Sequence, residues 1–188
     1  MEAIKTEIEG LIIIEPKIFR DDRGYFYESF SAKEFEEKVK SNIYFVQDNQ
    51  SYSSYGVLRG LHFQKPPHAQ SKLVRVIQGK VIDVAVDIRK GSPTYGKYVA
   101  VELTGENHKQ FFIPKGFAHG FVVLSDTALF QYKCDNLYAP QAEGALIWND
   151  PDINIDWKIP IDEIILSGKD RLHGCLKDFD SPFIYGEY

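Results

Sequence analysis

The feature that most constrains this chain is a succession of short, strand-length runs, each rich in β-branched or aromatic residues and each closed by Gly, Pro, Asn or Asp. Residues 10–14, 43–49, 56–64, 72–78, 80–88, 98–103, 110–114, 120–124, 128–134 and 144–148 all have this form. Such near-regular spacing, with almost no helical periodicity before the last quarter, predicts an antiparallel sandwich or barrel. One short helix interrupts it. Ser31 followed by Glu34 is a capping box, and Phe35 and Val39 stand at i and i+4, which predicts a helix over residues 32–40. In 80–88 the alternation is clean and predicts Ile82, Val84, Val86 and Ile88 inward, with Asp83, Ala85 and Asp87 outward. The segment 25–30, YFYESF, carries aromatic side chains on both faces and so needs two neighbours. It reads either as a central sandwich strand or as a contact with a second subunit. From Asn149 onward, turn residues mix with isolated apolar ones, which predicts turns and a short helix covering a barrel end.

With 188 residues the chain fits a single domain, 1–188, large enough to bury a core without disulfides or structural metal. Its 44% hydrophobic content, with charges of both signs interspersed, marks an ordinary soluble fold rather than a disordered one. A net charge of -5 argues against nucleic acid, while a local basic site for an anionic small molecule stays compatible with it. Two cysteines, Cys134 and Cys175, form no CxxC pair and read as free thiols in a reducing cytoplasm. No run approaches the ~18 apolar residues of a membrane span, and no charged-then-apolar leader opens the chain. A cytoplasmic protein without a membrane partner is expected.

Residues 53–79 hold Arg59, His62 and Lys72 on two strands joined by a proline turn. Lys72 heads an alternating run whose Val74 and Val76 share its face. Standing alone it would be a surface lysine, because lysine is almost never buried unpaired. It does not stand alone: Gly56-x5-His62-x-Gln64 with Lys72-x6-Gly79, and Pro114-x-Gly116-x-x-His119, resemble the two signature motifs of the cupin superfamily. That resemblance implies a small jelly-roll barrel, whose usual members bind a metal through histidines and a carboxylate. Here Gln64 stands for the second histidine and Lys72 for the carboxylate. An ammonium group at that position opposes a divalent cation, so a barrel without metal is predicted.

Over nearly its whole length the chain resembles the dTDP-4-dehydrorhamnose 3,5-epimerase family, through IFRDDRGYFYESF, FVQDNQSYS, GVLRGLHFQ, AQSKLVRVIQGKVIDVAVDIRKGSPTYGK, FFIPKGFAHGFVVLS, YKCDNLY, GALIWNDPDINIDW and LSGKD. The resemblance implies a mainly β, cupin-like jelly-roll homodimer with short peripheral helices, acting on a dTDP-sugar without added cofactor. It would invert C3 and C5 of dTDP-4-dehydro-6-deoxyglucose, whose C–H bonds are acidified by the C4 ketone. His62 suits the base, since imidazole titrates near neutrality; Asp170 would orient it. Lys72 would stabilise the enolate oxygen. Tyr132 shares a face with Phe130, inward in a barrel, and is the candidate acid; His119 is a further donor or a structural residue. Arg59 and Arg23 match a diphosphate through their guanidinium forks. Strict alternation places Arg59 and His62 on opposite faces, so both reach one cavity only if Gly60 marks a bulge or the strand ends there. By resemblance Glu28, Gln47, Asn49, Glu143 and Lys169 complete the site, while Phe19, Phe26 and Tyr138 pack base or sugar. Arg23 and Phe26 supplied by the partner subunit would give the aromatic segment its second neighbour. A 3-epimerase of a modified-sugar pathway, a metal cupin and a non-catalytic sugar-nucleotide module are the competing readings.

Overall fold

The computed structural model describes residues 1–187; Tyr188, the last residue of the expected domain, lies outside them. Strands run in the order β1 (Glu2–Lys5), β2 (Ile12–Glu15), β3 (Phe19–Asp21), β4 (Gly24–Phe26), β5 (Gln47–Ser54), β6 (Leu58–Gln64), β7 (Lys72–Gln78), β8 (Lys80–Asp87), β9 (Tyr98–Thr104), β10 (Gln110–Ile113), β11 (Phe117–Val123), β12 (Thr127–Cys134) and β13 (Glu143–Ala145). They form a six-stranded sheet, β1-β2-β10-β7-β12-β5, a five-stranded sheet, β13-β6-β11-β8-β9, and a separate ribbon, β3-β4. The two large sheets face each other. Val74, Val76, Phe111 and Phe130 from one meet Val81, Ala85, Val101 and Phe121 from the other. This is the antiparallel sandwich or barrel expected from the spacing of the runs, in the mainly β jelly-roll form that the resemblance implied. Phe121 and Phe130 stack with centroids 4.1 Å apart and planes 15° from parallel, a sheet-to-sheet contact worth about 0.5–1.5 kcal/mol beyond burial. Among the described residues, no helix is long and apolar enough to cross a membrane.

The helix α1 (Ala32–Val39) starts as expected, with Ser31 Oγ accepting the Glu34 N–H at 3.4 Å. Glu34 does not complete the box. Its carboxylate pairs with the Met1 amine at 2.8 Å, tying the N-terminus to the helix. Phe35 then packs with Ile14, Leu73 and Phe112 on the outer face of the six-stranded sheet. Ile43 and Phe45 join that cluster, which explains why the apolar stretch from 43 pairs as a strand only from Gln47 onward.

Three expectations are corrected. The alternation of β8 is real but reversed, because both of its faces are buried. Ile82, Val84, Val86 and Ile88 face away from the barrel, against Leu146, Trp148, Ile153 and Trp157. Val81 and Ala85, on the other face, join the barrel core. Asp83 and Asp87 are therefore fully buried rather than outward. The C-terminal quarter lies across the outer face of the five-stranded sheet, not only over a barrel end, and supplies two short 3-10 turns, Ile161–Glu163 and Leu176–Asp178. Finally, only Tyr25 and Phe26 of the aromatic segment 25–30 are strand, as the end of β4, which pairs with Phe19–Asp21 in the detached ribbon. A central sandwich strand is excluded, and Phe19, Tyr25 and Phe26 stay exposed.

Candidate active site

The barrel holds a cavity of about 730 Å³, lined by side chains of β5, β6, β7, β11, β12 and β13 and of the 165–173 segment. Its floor is the Phe121–Phe130 stack. Strand β6 brings two of the expected residues to it. The pairing of β6 with β11 shifts register between His119 and Phe121, and Gly60 at that point has φ +144°. A Cβ there would lie 2.5 Å from Gly120 Cα, so only glycine lets the strands approach. The irregularity turns Arg59 and His62 toward the same cavity despite their odd spacing. Ser53 Oγ accepts from both Nε and Nη2 of Arg59 at 3.2 Å, which steadies the guanidinium at the mouth.

His62 Nε2 lies 2.6 Å from Asp170 Oδ1. Asp170 is buried, and it is fixed by its own turn: Ser167 Oγ donates to Oδ2 at 2.9 Å and accepts the Asp170 N–H at 3.2 Å. Burial pushes this carboxyl up, but the hydrogen bond and charge of His62, helped by Ser167 and His173, hold it below its ordinary value. Lys72, partly buried at the head of β7, places its Nζ 5.9 Å from the Tyr132 ring centroid. Burial pulls the Lys72 ammonium down, countered by the nearby Cys134, Asp83 and Glu143. Burial raises the Tyr132 phenol, so it stays protonated at neutral pH. The Cys134 thiol, pushed up to about 11 mainly by burial, is no nucleophile.

His119 faces Asp83, with Nε2 at 2.9 and 3.0 Å from the two carboxylate oxygens. Burial drives Asp83 up and His119 down, favouring the uncharged form of each. Asp83 is a residue the sequence reading missed, because alternation separates the two faces of β8 without saying which one meets the barrel. Ser167 was missed too. Its only signal is the Ser-x-x-Asp spacing, which lets the hydroxyl bond the backbone and carboxylate of the same turn.

Asn49, Glu143 and Lys169 also line the cavity, and Lys169 Nζ stands 3.6 Å from Glu143 Oε2. Gln47 stands behind rather than in it: its amide donates to Asn49 Oδ1 at 2.9 Å and its oxygen accepts the Tyr138 N–H at 3.0 Å. The Tyr138 side chain is exposed. Phe19, Arg23 and Phe26 lie together on the ribbon around a separate cavity of about 540 Å³. Arg23 there is held by Asp21 at 2.6 Å. Glu28 is exposed beyond the ribbon. Within one protomer these four do not join the others. At the position where a cupin places its second histidine, the Gln64 amide is engaged by backbone: it donates to His68 O at 2.7 Å and Leu137 O at 3.2 Å and accepts from Ala139 N–H at 2.8 Å.

Fold and cavity together define a cupin-like barrel that carries an acid–base site, with a histidine–carboxylate pair, a lysine and a tyrosine around one space. The family model described as dTDP-4-dehydrorhamnose 3,5-epimerase matches residues 5–178. A relative from Shigella flexneri bearing that name is 56% identical over 170 residues, covering 90% of this chain and 93% of its own. A crystal structure of the enzyme of that name from Elizabethkingia anophelis superposes with a TM-score of 0.91 at 56% identity, over 95% of this chain and 97% of the other. A Legionella pneumophila epimerase solved with dTDP-4-keto-L-rhamnose gives 0.91 at 53%, over 95% and 94%. The chain belongs to the dTDP-4-dehydrorhamnose 3,5-epimerase family.

Proposed function

We propose that this chain, as one 1–188 domain, is a dTDP-4-dehydrorhamnose 3,5-epimerase that inverts C3 and C5 of dTDP-4-dehydro-6-deoxyglucose on the route to dTDP-L-rhamnose. The observation that carries the reading is the His62–Asp170 pair at 2.6 Å in a cavity that also presents Lys72 and Tyr132. With Nε2 engaged by Asp170, the other ring nitrogen of His62, Nδ1, is the base. It takes the proton from C3 or C5, and the electron pair of that C–H bond moves to the C4 oxygen. Lys72 stabilises the resulting enolate oxygen. Tyr132, kept protonated by burial, returns a proton to the opposite face of the carbon. The enolate collapses to the ketone with inverted configuration, leaving one proton gained by His62 and one lost by Tyr132 to be exchanged with solvent. His119, with Asp83 behind it, is a second donor beside the ketone. Only protons move, so the reaction needs no added cofactor.

Arg59 and Lys169 serve the diphosphate, while Asn49 and Glu143 serve the sugar. The exposed ribbon supports a homodimer in which Phe19, Arg23, Phe26 and Glu28 complete the partner's cavity: Phe19, Tyr25 and Phe26 lie exposed together on paired strands, and a contiguous apolar patch of this kind marks an interaction surface. Tyr138 closes over the base or sugar at the same rim. Two free cysteines, Cys134 and Cys175, suit a reducing compartment, the cytoplasm. Incubation with the 4-keto sugar nucleotide in D2O, followed by NMR, tests the reading. Loss of both the C3 and C5 proton signals is expected; exchange at C3 alone would make the chain a 3-epimerase, and exchange at neither would refute the proposal.

A further inference from the structure

His173 takes no part in the chemistry proposed above. Its ring stands nearly at right angles to that of His62, with centroids 6.0 Å apart. Its Nε2 lies 3.6 Å from Asp170 Oδ1, too far for a hydrogen bond. That nitrogen is buried and has no hydrogen-bond partner in the structure. Buried polar atoms are nearly always satisfied, so an orphan of this kind needs an explanation. The surroundings supply one. His62, Asp170 and His173 each offer a ligand atom, and these atoms lie within 4.8 Å of one another.

We propose that His62, Asp170 and His173 form an inhibitory site for a divalent transition metal ion, Zn²⁺ above all. Two imidazole nitrogens and one carboxylate oxygen are the donor set of an open zinc site, whose fourth position remains free for water. The set differs from that of a cupin, since it uses neither Gln64, Lys72 nor His119. The orphaned His173 nitrogen becomes a ligand, and the ion replaces the proton between His62 Nε2 and Asp170. Neutral His62 then carries its one ring proton on Nδ1. That is the nitrogen assigned above to take the substrate's proton, so the metal silences the base without displacing it. Lys72 and Lys169 line the same cavity; their charge opposes the ion and makes the site weaker than a closed structural one. The binding stands on geometry alone, and only its inhibitory effect rests on the epimerase reading.

Calorimetric titration of chelator-treated protein with Zn²⁺, and titration with Co²⁺ followed by visible absorption, read the site directly. The expected result is one equivalent bound, with a four-coordinate Co²⁺ spectrum. In His173→Ala and His173→Asn, affinity falls at least about tenfold, since losing a ligand costs no less than losing an outer-shell partner. Whatever rate of isotope exchange metal-free His173→Ala retains, that rate resists Zn²⁺ at concentrations that stop the wild-type chain. Absence of a one-equivalent site, or a site untouched by both substitutions, overturns the proposal. Binding that leaves exchange unaffected overturns the inhibition. A wild-type chain that exchanges no proton even without metal sinks the epimerase reading, and the calorimetry still decides the metal site.

Discussion

Lys72 occupies the place where a metal cupin needs a negative group, and the change of sign redirects the whole cavity. In the proposed reaction a fixed cation there takes the Lewis-acid role toward the ketone oxygen, so that turnover needs no metal at the cupin position. Replacing Lys72 by Met is expected to lower kcat by about 10²–10³-fold, the cost of one oxyanion partner, while dTDP binding measured by calorimetry stays near wild type. Because burial pulls the ammonium below its usual 10.5, the wild-type rate should fall off at a pH below that value. His62, Lys72 and His119 were legible because motif spacing marks them, and Tyr132 because it follows Phe130 by two. Asp170 lies 108 residues from His62 and reads by itself as a charged turn residue; only resemblance to a family singled it out. Asp83 and Ser167 stayed hidden. Each acts through one side chain it touches, and neither contact leaves a periodic trace.

Among the elements, β6 depends on Gly60. Gly60→Ala is expected to cost about 2–4 kcal/mol in a urea melt, combining strain at φ +144° with a clash against Gly120. It should also lower activity in the surviving fold by turning Arg59 and His62 apart. Strand β8 ends in a different device. Asp87, wholly buried, pairs with Arg89 at 2.7 Å and accepts from Ser92 and Thr94 hydroxyls at 2.6 and 2.7 Å. Burial raises this carboxyl, yet those hydrogen bonds hold it below its ordinary 3.8. A depressed carboxyl contributes stability that is complete above the unfolded value and is lost as pH falls through the folded one. Asp87→Ala, which strands a buried guanidinium, should cost about 3–5 kcal/mol at neutral pH and flatten the stability curve below about pH 4. Most strands were legible within a few residues from their turn punctuation. The orientation of β8 was not, because a strand buried on both sides shows its more apolar face without saying what covers it.

For the molecule as a whole, the detached ribbon makes a prediction that no single protomer can satisfy. If Arg23 serves the partner's cavity, mixing inactive Arg23→Ala with inactive His62→Ala subunits should restore activity, because each hybrid dimer regains one site with both residues intact. Ribbon residues acting within their own protomer would give no gain. Dimer exchange can be followed by native mass spectrometry beside the assay. The ribbon's aromatic content was plain in the sequence, whereas its separation from both sheets depends on pairing that composition does not encode. The C-terminal quarter, which covers the five-stranded sheet and then delivers Asp170 to His62, carries a consequence for the time course of synthesis. The ribosome releases His62 108 residues ahead of Asp170, a delay of roughly 5–20 s at ordinary elongation rates. The five-stranded sheet is complete in sequence only at Ala145, so over the last stretch of that interval the nascent chain displays the apolar outer face of the sheet together with a His62 that nothing yet orients. Catalytic competence and concealment of that surface therefore arrive together, and the first proton exchanged would certify that the last segment has docked.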